Sequence, residues 1–123
     1  LVDTSILAPG CVFQPEITED VFKDAKLLAA NPYPFSIKFG GHIPSPGTNN
    51  IDGGVSIVLG ALSQADIASD KKTVRLGAGA KWGQIYKEFA DKGLLVPGGL
   101  CGGTRVGGVS TSGGESCLLA SHG

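Results

Sequence analysis

Two glycine-rich stretches hold most of the residues in this 123-residue chain that could do chemistry. The first, Phe39-Gly40-Gly41-His42-Ile43-Pro44-Ser45-Pro46-Gly47, sets an imidazole among glycines and prolines, directly after Lys38. The second starts at Gly98-Gly99-Leu100-Cys101-Gly102-Gly103-Thr104-Arg105-Val106-Gly107-Gly108 and continues to Ser112-Gly113-Gly114 and Ser116. Glycine lets a backbone come close to a ligand, and successive exposed N–H groups form a nest for an anion. A diphosphate can be held that way without a cluster of arginines and lysines. Tight turns between short strands account for the same glycines equally well. A lone loop histidine is more often solvated than committed to a ligand, and Cys101 is more often a small buried residue than a reactive thiol.

Several chemistries are excluded. No Gly-Lys pair is followed by Ser or Thr, as a P-loop requires, and Gly77-Ala78-Gly79-Ala80-Lys81-Trp82 places Trp82 where a dinucleotide fingerprint needs its third glycine. Ten basic and eleven acidic side chains are dispersed along the chain, for a net charge of -1. The basic stripe of a nucleic-acid binder is missing. No apolar run approaches the roughly 20 residues that cross a bilayer, so no membrane span is expected. Cys11, Cys101 and Cys117 cannot all pair within the chain. With His42 and His122 they fit no zinc-ligand spacing, and no metal is expected. Hydrophobic residues at 41% against 17% charged point to a folded chain. Methionine is absent, so Leu1 is not a translation start, and Ser121-His122-Gly123 lacks the marks of a domain end. A fragment is expected.

The elements that would position the two stretches follow from local pattern. Gly10 to Pro15 reads as a short strand closed by proline. Thr18 is placed to cap a helix whose first turn carries Glu19 and Asp20. Val21, Phe22, Ala25, Leu28 and Ala29 recur at helical spacing, and Asn31-Pro32 ends the helix. Phe35 to Phe39 alternates as a strand and runs into Gly40-Gly41-His42. Val55–Leu59 and Thr73–Leu76 are further strands, with a polar turn around Asp70-Lys71-Lys72 between them. A helix from about Lys81 to Lys92 aligns Trp82, Ile85, Tyr86 and Phe89, with Gly93 at its C-terminal end. Leu94 to Val96 reads as a short strand. Eight glycines between Gly98 and Gly114 argue against any regular element there. The order is that of an α+β protein.

At this point the residues resemble a known family. Lys38-Phe39-Gly40-Gly41-His42, Pro46-Gly47, Asn49-Asn50 and Asp52-Gly53-Gly54-Val55 resemble the first flavin loop of berberine-bridge-enzyme-like oxidases. Cys11-Val12-Phe13-Gln14-Pro15, Glu19-Asp20-Val21, Val74 to Gly83, and Gly98-Gly99 through Ser116 continue the likeness. It runs from about Pro9 to Gly123. The resemblance implies an incomplete FAD-binding domain of the vanillyl-alcohol-oxidase type, built of two small α+β subdomains. The first would cover about 1–60, and the start of the second about 61–123.

The resemblance also implies FAD between the subdomains. Its contacts would come from Lys38, Gly40, Gly41, His42, Ile43 and Ser45 in the first stretch. The second stretch would add Gly98, Gly99, Cys101, Gly107, Gly108, Ser112, Gly113 and Ser116. His42 matches the histidine that bonds the flavin 8α-methyl carbon. Cys101 stands six residues before Gly107 and 59 after His42, the spacing at which bicovalent members link a cysteine to flavin C6. Those members usually follow the cysteine with proline, where Gly102 stands here. The sequence departs from the common pattern at Phe39, Ile43, Arg105, Ser112 and Glu115. Arg105 is placed to meet a phosphate, and Glu115 beside one would repel it.

The implied activity is that of an oxidase taking hydride from an alcohol, sugar or secondary metabolite and passing electrons to oxygen. The family's catalytic base lies in later segments, so no catalytic residue is nominated and the chain alone should be inactive. A complementary fragment is one conceivable partner. The other reading is a truncated, non-catalytic domain that binds a nucleotide or serves as a partner subunit. Many family members are secreted, but no leader is present to argue for a compartment. Cut from its neighbours, the chain is expected to expose the Trp82-Ile85-Phe89 helix face or a sheet edge, and to associate.

Overall fold

In the computed structural model, the alternating stretches before and after the first glycine loop become neighbouring parallel strands. Residues 6–116 and 118–122 are described, and the chain divides into two units, Leu1–Leu62 and Ser63–Gly123. The first unit contains β1 (Cys11–Phe13), α1 (Thr18–Ala30), β2 (Phe35–Lys38) and β3 (Val55–Val58), followed by a single 3-10 turn at Leu59–Ala61. Its sheet is parallel in the order β1-β3-β2, with Phe13 and Ile37 both opposite Ile57. Parallel strands need crossover connections: α1 supplies the one from β1 to β2, which flank β3, and the 39–54 loop supplies the one from β2 to its neighbour β3. The core of this unit is thin: Ile57, Leu59 and Leu62 are buried, with Pro15.

The start of α1 differs from the sequence reading. Ile17 is the cap residue, Thr18 is already helical, and no side chain bonds the open amides. The acidic first turn of Glu19 and Asp20 remains as the favourable charge at that end. Phe22 does not join the inner stripe. It is exposed, one residue and about 100° round the helix from Val21, with the Lys26 ammonium 5.2 Å from its ring centre.

The second unit contains β4 (Ala65–Ile67), β5 (Val74–Leu76), α2 (Trp82–Ala90), α3 (Val106–Ser112) and α4 (Leu119–His122). Strands β4 and β5 form an antiparallel hairpin with Asp66 opposite Arg75. Its turn places Lys71 at φ 58 and is closed by the Ala68 amide on the Thr73 carbonyl. Strand β4, Ala-Asp-Ile, has no sequence signature, because Ala and Asp are residues depleted in strands.

Ala80, Trp82, Ile85 and Phe89 form the buried core, flanked by Ile67, Leu76, Leu94, Val96, Val106 and Val109. Each large side chain buried there contributes roughly 1.5–3 kcal/mol. The Trp82-Ile85-Phe89 face expected to be exposed is therefore the best-buried surface of the unit. The exposed apolar side chains lie elsewhere, including Val12, Phe22, Leu27, Phe35 and Ile37. Leu94 to Val96 is not a strand: Leu94 and Val96 pack on the core without ladder partners, and Leu95 is exposed. The glycine-rich region does contain a regular element, α3. Gly113, at φ 74, ends that helix in the left-handed conformation glycine favours.

Gly98 shows why part of this region must lack side chains. A Cβ there would stand 2.0 Å from a ring carbon of Trp82, and at Gly99 2.9 Å. The indole also stacks on Tyr86 at 5.7 Å between centroids, and the Tyr86 hydroxyl donates to the Gly99 carbonyl at 2.8 Å. Gly98→Ala is expected to cost the second unit about 3 kcal/mol by overpacking. Gly93→Ala, in open space at φ 66, should cost only about 1 kcal/mol. Urea unfolding followed through Trp82, the one tryptophan, checks this; equal losses would refute the packing argument.

Candidate functional site

The first loop leaves strand β2 at Lys38 and returns through Thr48 and Asn49. Its carbonyls are tied back into the loop. The Asn49 amide donates to the Ile43 carbonyl at 2.6 Å, and the Thr48 hydroxyl donates to the Ser45 carbonyl at 2.6 Å. The stem is stitched to the segment before β1. The Asn50 side chain donates to the Leu7 carbonyl at 2.9 Å, Gly53 N–H to the Ala8 carbonyl at 2.8 Å, and Gly10 N–H to the Gly54 carbonyl at 2.9 Å.

The donors are left open. The backbone N–H groups of Gly40, Gly41, His42, Ile43, Ser45 and Gly47 bond to no described residue, and all six residues are exposed. The half-buried Lys38 side chain folds beside them: a Cβ on Gly41 (φ 69) would lie 2.9 Å from Lys38 Cε and 3.7 Å from Nζ. The donor set is therefore a run of amides with an ammonium alongside, which suits a diphosphate. His42 is exposed, and its ring accepts or donates no hydrogen bond among the described residues. Thr48 escaped the sequence reading, and Asn49 entered it only through the family likeness. The signal was available, since Thr, Asn and Asp side chains readily bond nearby backbone in turns.

The second stretch is spent differently. Gly98 N–H donates to Ser116 Oγ at 3.2 Å, and Gly107 N–H, in a buried residue, donates to the Ala78 carbonyl at 2.9 Å. Ser112 Oγ donates to the Gly108 carbonyl at 2.6 Å, and Gly113 N–H to the Val109 carbonyl at 3.1 Å. Arg105 does not reach outward: its guanidinium donates to the Gly79 carbonyl. Open amides occur instead at Cys101, Gly102 and Gly103, all exposed. Of the residues the sequence reading selects, Gly98 and Gly107 have their N–H groups bonded within the protein, and Gly102 and Gly103 are open donors it does not select. Packing against Trp82 and Ala78 could not be read from composition.

Cys11 and Cys101 are free and exposed; Cys117 lies outside the described residues. Among the described residues no three His, Cys, Asp or Glu side chains gather as a metal site, and no helix is long and apolar enough to cross a membrane.

Comparison with known proteins gives this geometry its context. Residues 9–120 match the profile of a family described as FAD binding domain. The chain is 35% identical over 115 residues to a Cochliobolus heterostrophus protein described as FAD-dependent monooxygenase tpcD, covering 94% of this chain and 22% of that one. It is 36% identical over 116 residues to FAD-dependent monooxygenase prx3 of Penicillium roqueforti, covering 94% and 23%. Among solved structures, 6-hydroxy-D-nicotine oxidase from Arthrobacter nicotinovorans aligns with a TM-score of 0.82 at 24% identity, covering 98% of this chain and 28% of that one. A chitooligosaccharide oxidase aligns at 0.74 and 26%, covering 85% and 23%. The fold is that of the vanillyl-alcohol-oxidase type, and the chain spans less than a quarter of the length of these curated relatives.

Arg105→Ala is expected to cost the second unit about 1–2 kcal/mol in the absence of any nucleotide, through loss of the charged hydrogen bond to Gly79. Denaturant unfolding checks this. Unchanged stability would mean that Arg105 serves a ligand and not the fold.

Proposed function

The chain belongs to the FAD-binding domain family, and from that premise we propose that it is the FAD-anchoring part of a longer oxidoreductase. The observation that carries the reading is the run of partnerless amides from Gly40 to Gly47 beside the Lys38 ammonium. Those groups hold the diphosphate. The amides act as fixed dipoles whose loop is already ordered by Thr48 and Asn49, so little is lost in arranging them. Lys38 supplies a full positive charge close by.

His42 is the residue to carry a covalent link. An imidazole nitrogen would hold the flavin by replacing one hydrogen of its 8α-methyl carbon, the proton going to solvent and the electron pair to the flavin ring, from which oxygen would remove it. With no orienting hydrogen bond from the described chain, the ring is free to turn toward that carbon. Exposed Cys101 is the corresponding candidate for a second link, which needs the thiolate. Both attachments rest on the berberine-bridge-enzyme-like pattern around these residues. FAD, when bound, supplies hydride acceptance, and the protein supplies position and electrostatics. The substrate would be a small alcohol, sugar or secondary metabolite, with oxygen receiving the electrons. The acid or base for that reaction would come from the polypeptide beyond this stretch.

Titration of the chain with FAD is expected to quench flavin fluorescence saturably. Lys38→Ala should weaken binding by about tenfold at low salt and less at high salt. Protein precipitated with acid after holding FAD should stay yellow, and His42→Ala should lose that colour while still quenching. Absence of quenching would refute the cofactor assignment. Quenching with colour fully released by acid would refute the covalent link alone and leave a non-covalent nucleotide-binding domain.

A further inference from the structure

The backbone on either side of His42 is fixed, while the imidazole itself is free to turn. Before it, Gly41 stands at φ 69 with little room at its Cα: a Cβ there would meet Lys38 Cε at 2.9 Å and Asn49 Oδ1 at 4.0 Å. After it, the Ile43 carbonyl accepts from Asn49 Nδ2 at 2.6 Å. The carboxamide of Asn49 therefore reaches the residues on both sides of His42 at once, its oxygen toward Gly41 and its nitrogen on Ile43. Pro44 follows directly. Its ring locks its own φ and disfavours helical backbone at Ile43. His42 is exposed, and its ring makes no hydrogen bond with a described residue. The rotations left to the residue are those of its own side chain.

We propose, on the reading that His42 takes the flavin, that Asn49 is a positioning residue. It holds the His42 backbone where the imidazole can reach the 8α-methyl carbon of bound FAD, and so sets the rate of attachment and not the affinity. The attachment replaces one C–H bond of that methyl group by an N–C bond. The carbon and the imidazole each give a proton to solvent, the electron pair goes to the flavin ring, and oxygen removes it, taking up two protons as hydrogen peroxide. Once FAD is seated the reaction is intramolecular, and a misplacement of about 1 Å can slow such a step about a hundredfold. Affinity depends on different groups. The open amides between Gly40 and Gly47 and the Lys38 ammonium are present with or without Asn49. Losing Asn49 removes order and no donor to the diphosphate. Thr48, by contrast, acts on the Ser45 carbonyl, beyond Pro44.

The test measures binding and attachment separately in the 123-residue chain. Quenching of flavin fluorescence gives Kd. Acid-stable flavin absorbance followed in time, in air and at saturating FAD, gives a first-order attachment rate. Asn49→Leu keeps the size of the side chain and removes its hydrogen bond. It is expected to slow attachment at least about tenfold while raising Kd no more than about threefold. Asn49→Gln keeps the amide donor on a longer arm and should attach flavin several-fold faster than Asn49→Leu. In nitrogen-15 relaxation of the FAD-free chain, the His42 and Ile43 amides of Asn49→Leu should show lower order parameters, with those of β2 and β3 unchanged; that pattern separates lost aim from lost fold. Equal attachment rates in wild type and Asn49→Leu, or a deficit that more FAD removes, would overturn the role of Asn49 and leave covalent attachment standing. So would Asn49→Gln that is no faster than Asn49→Leu. Wild-type protein that releases all its flavin in acid would overturn the covalent reading and this role with it, and absence of quenching would overturn the cofactor assignment beneath both.

Discussion

A backbone N–H without an acceptor in the protein has to find one elsewhere, and the arrangement of the first unit follows from where those donors are left. Between Gly40 and Gly47 two residues are proline and the other six amides are open. Two of the loop's carbonyls, those of Ser45 and Ile43, are held by the side chains of Thr48 and Asn49. The stem below is fixed by bonds from Asn50, Gly53 and Gly10, so the donors are presented from an ordered frame and not from a slack turn. An unordered loop with the same composition would lose entropy on meeting an anion; this one has lost much of it already.

Glycine serves two opposed purposes in the same chain. In the first loop it keeps amides accessible and allows the positive φ at Gly41 that brings Lys38 alongside. At Gly98 and Gly99 it makes room for the Trp82 indole, and the space where a ligand might have approached is filled by protein. Arg105 tells the same story with charge. A cation in a glycine-rich stretch suggests a phosphate partner, yet here it closes the 77–80 loop through the Gly79 carbonyl. The second stretch therefore has a large share in the scaffold, with Cys101, Gly102 and Gly103 among its open donors.

Much of the architecture was legible from pattern. Both long helices, four of the five strands among the described residues and the buried row Trp82-Ile85-Phe89 are legible from local pattern. What was not legible had short range or long-range causes. Strand β4 is made of Ala, Asp and Ile, the first two depleted in strands, and Leu94 and Val96 are apolar for packing and not for pairing. Helix α3 forms despite Gly107 and Gly108, because its first amides meet the Ala80 and Ala78 carbonyls and its inner residues join the core. Tertiary contact overrides the low helix propensity of glycine there.

Sequence alone determined the residue types able to hold a dinucleotide, their order along the chain and the likeness to flavin-binding proteins, because those depend on local composition and spacing. The tertiary structure decided which of the amides remain free. That choice depends on which distant carbonyl or aromatic ring claims each one, as Ala78 claims Gly107 and Trp82 occupies the space at Gly98. It also decided that α1 leaves an apolar groove open with Asp24 in its wall, since the height of a helix above its sheet is set by everything packed around it and by nothing in its own periodicity.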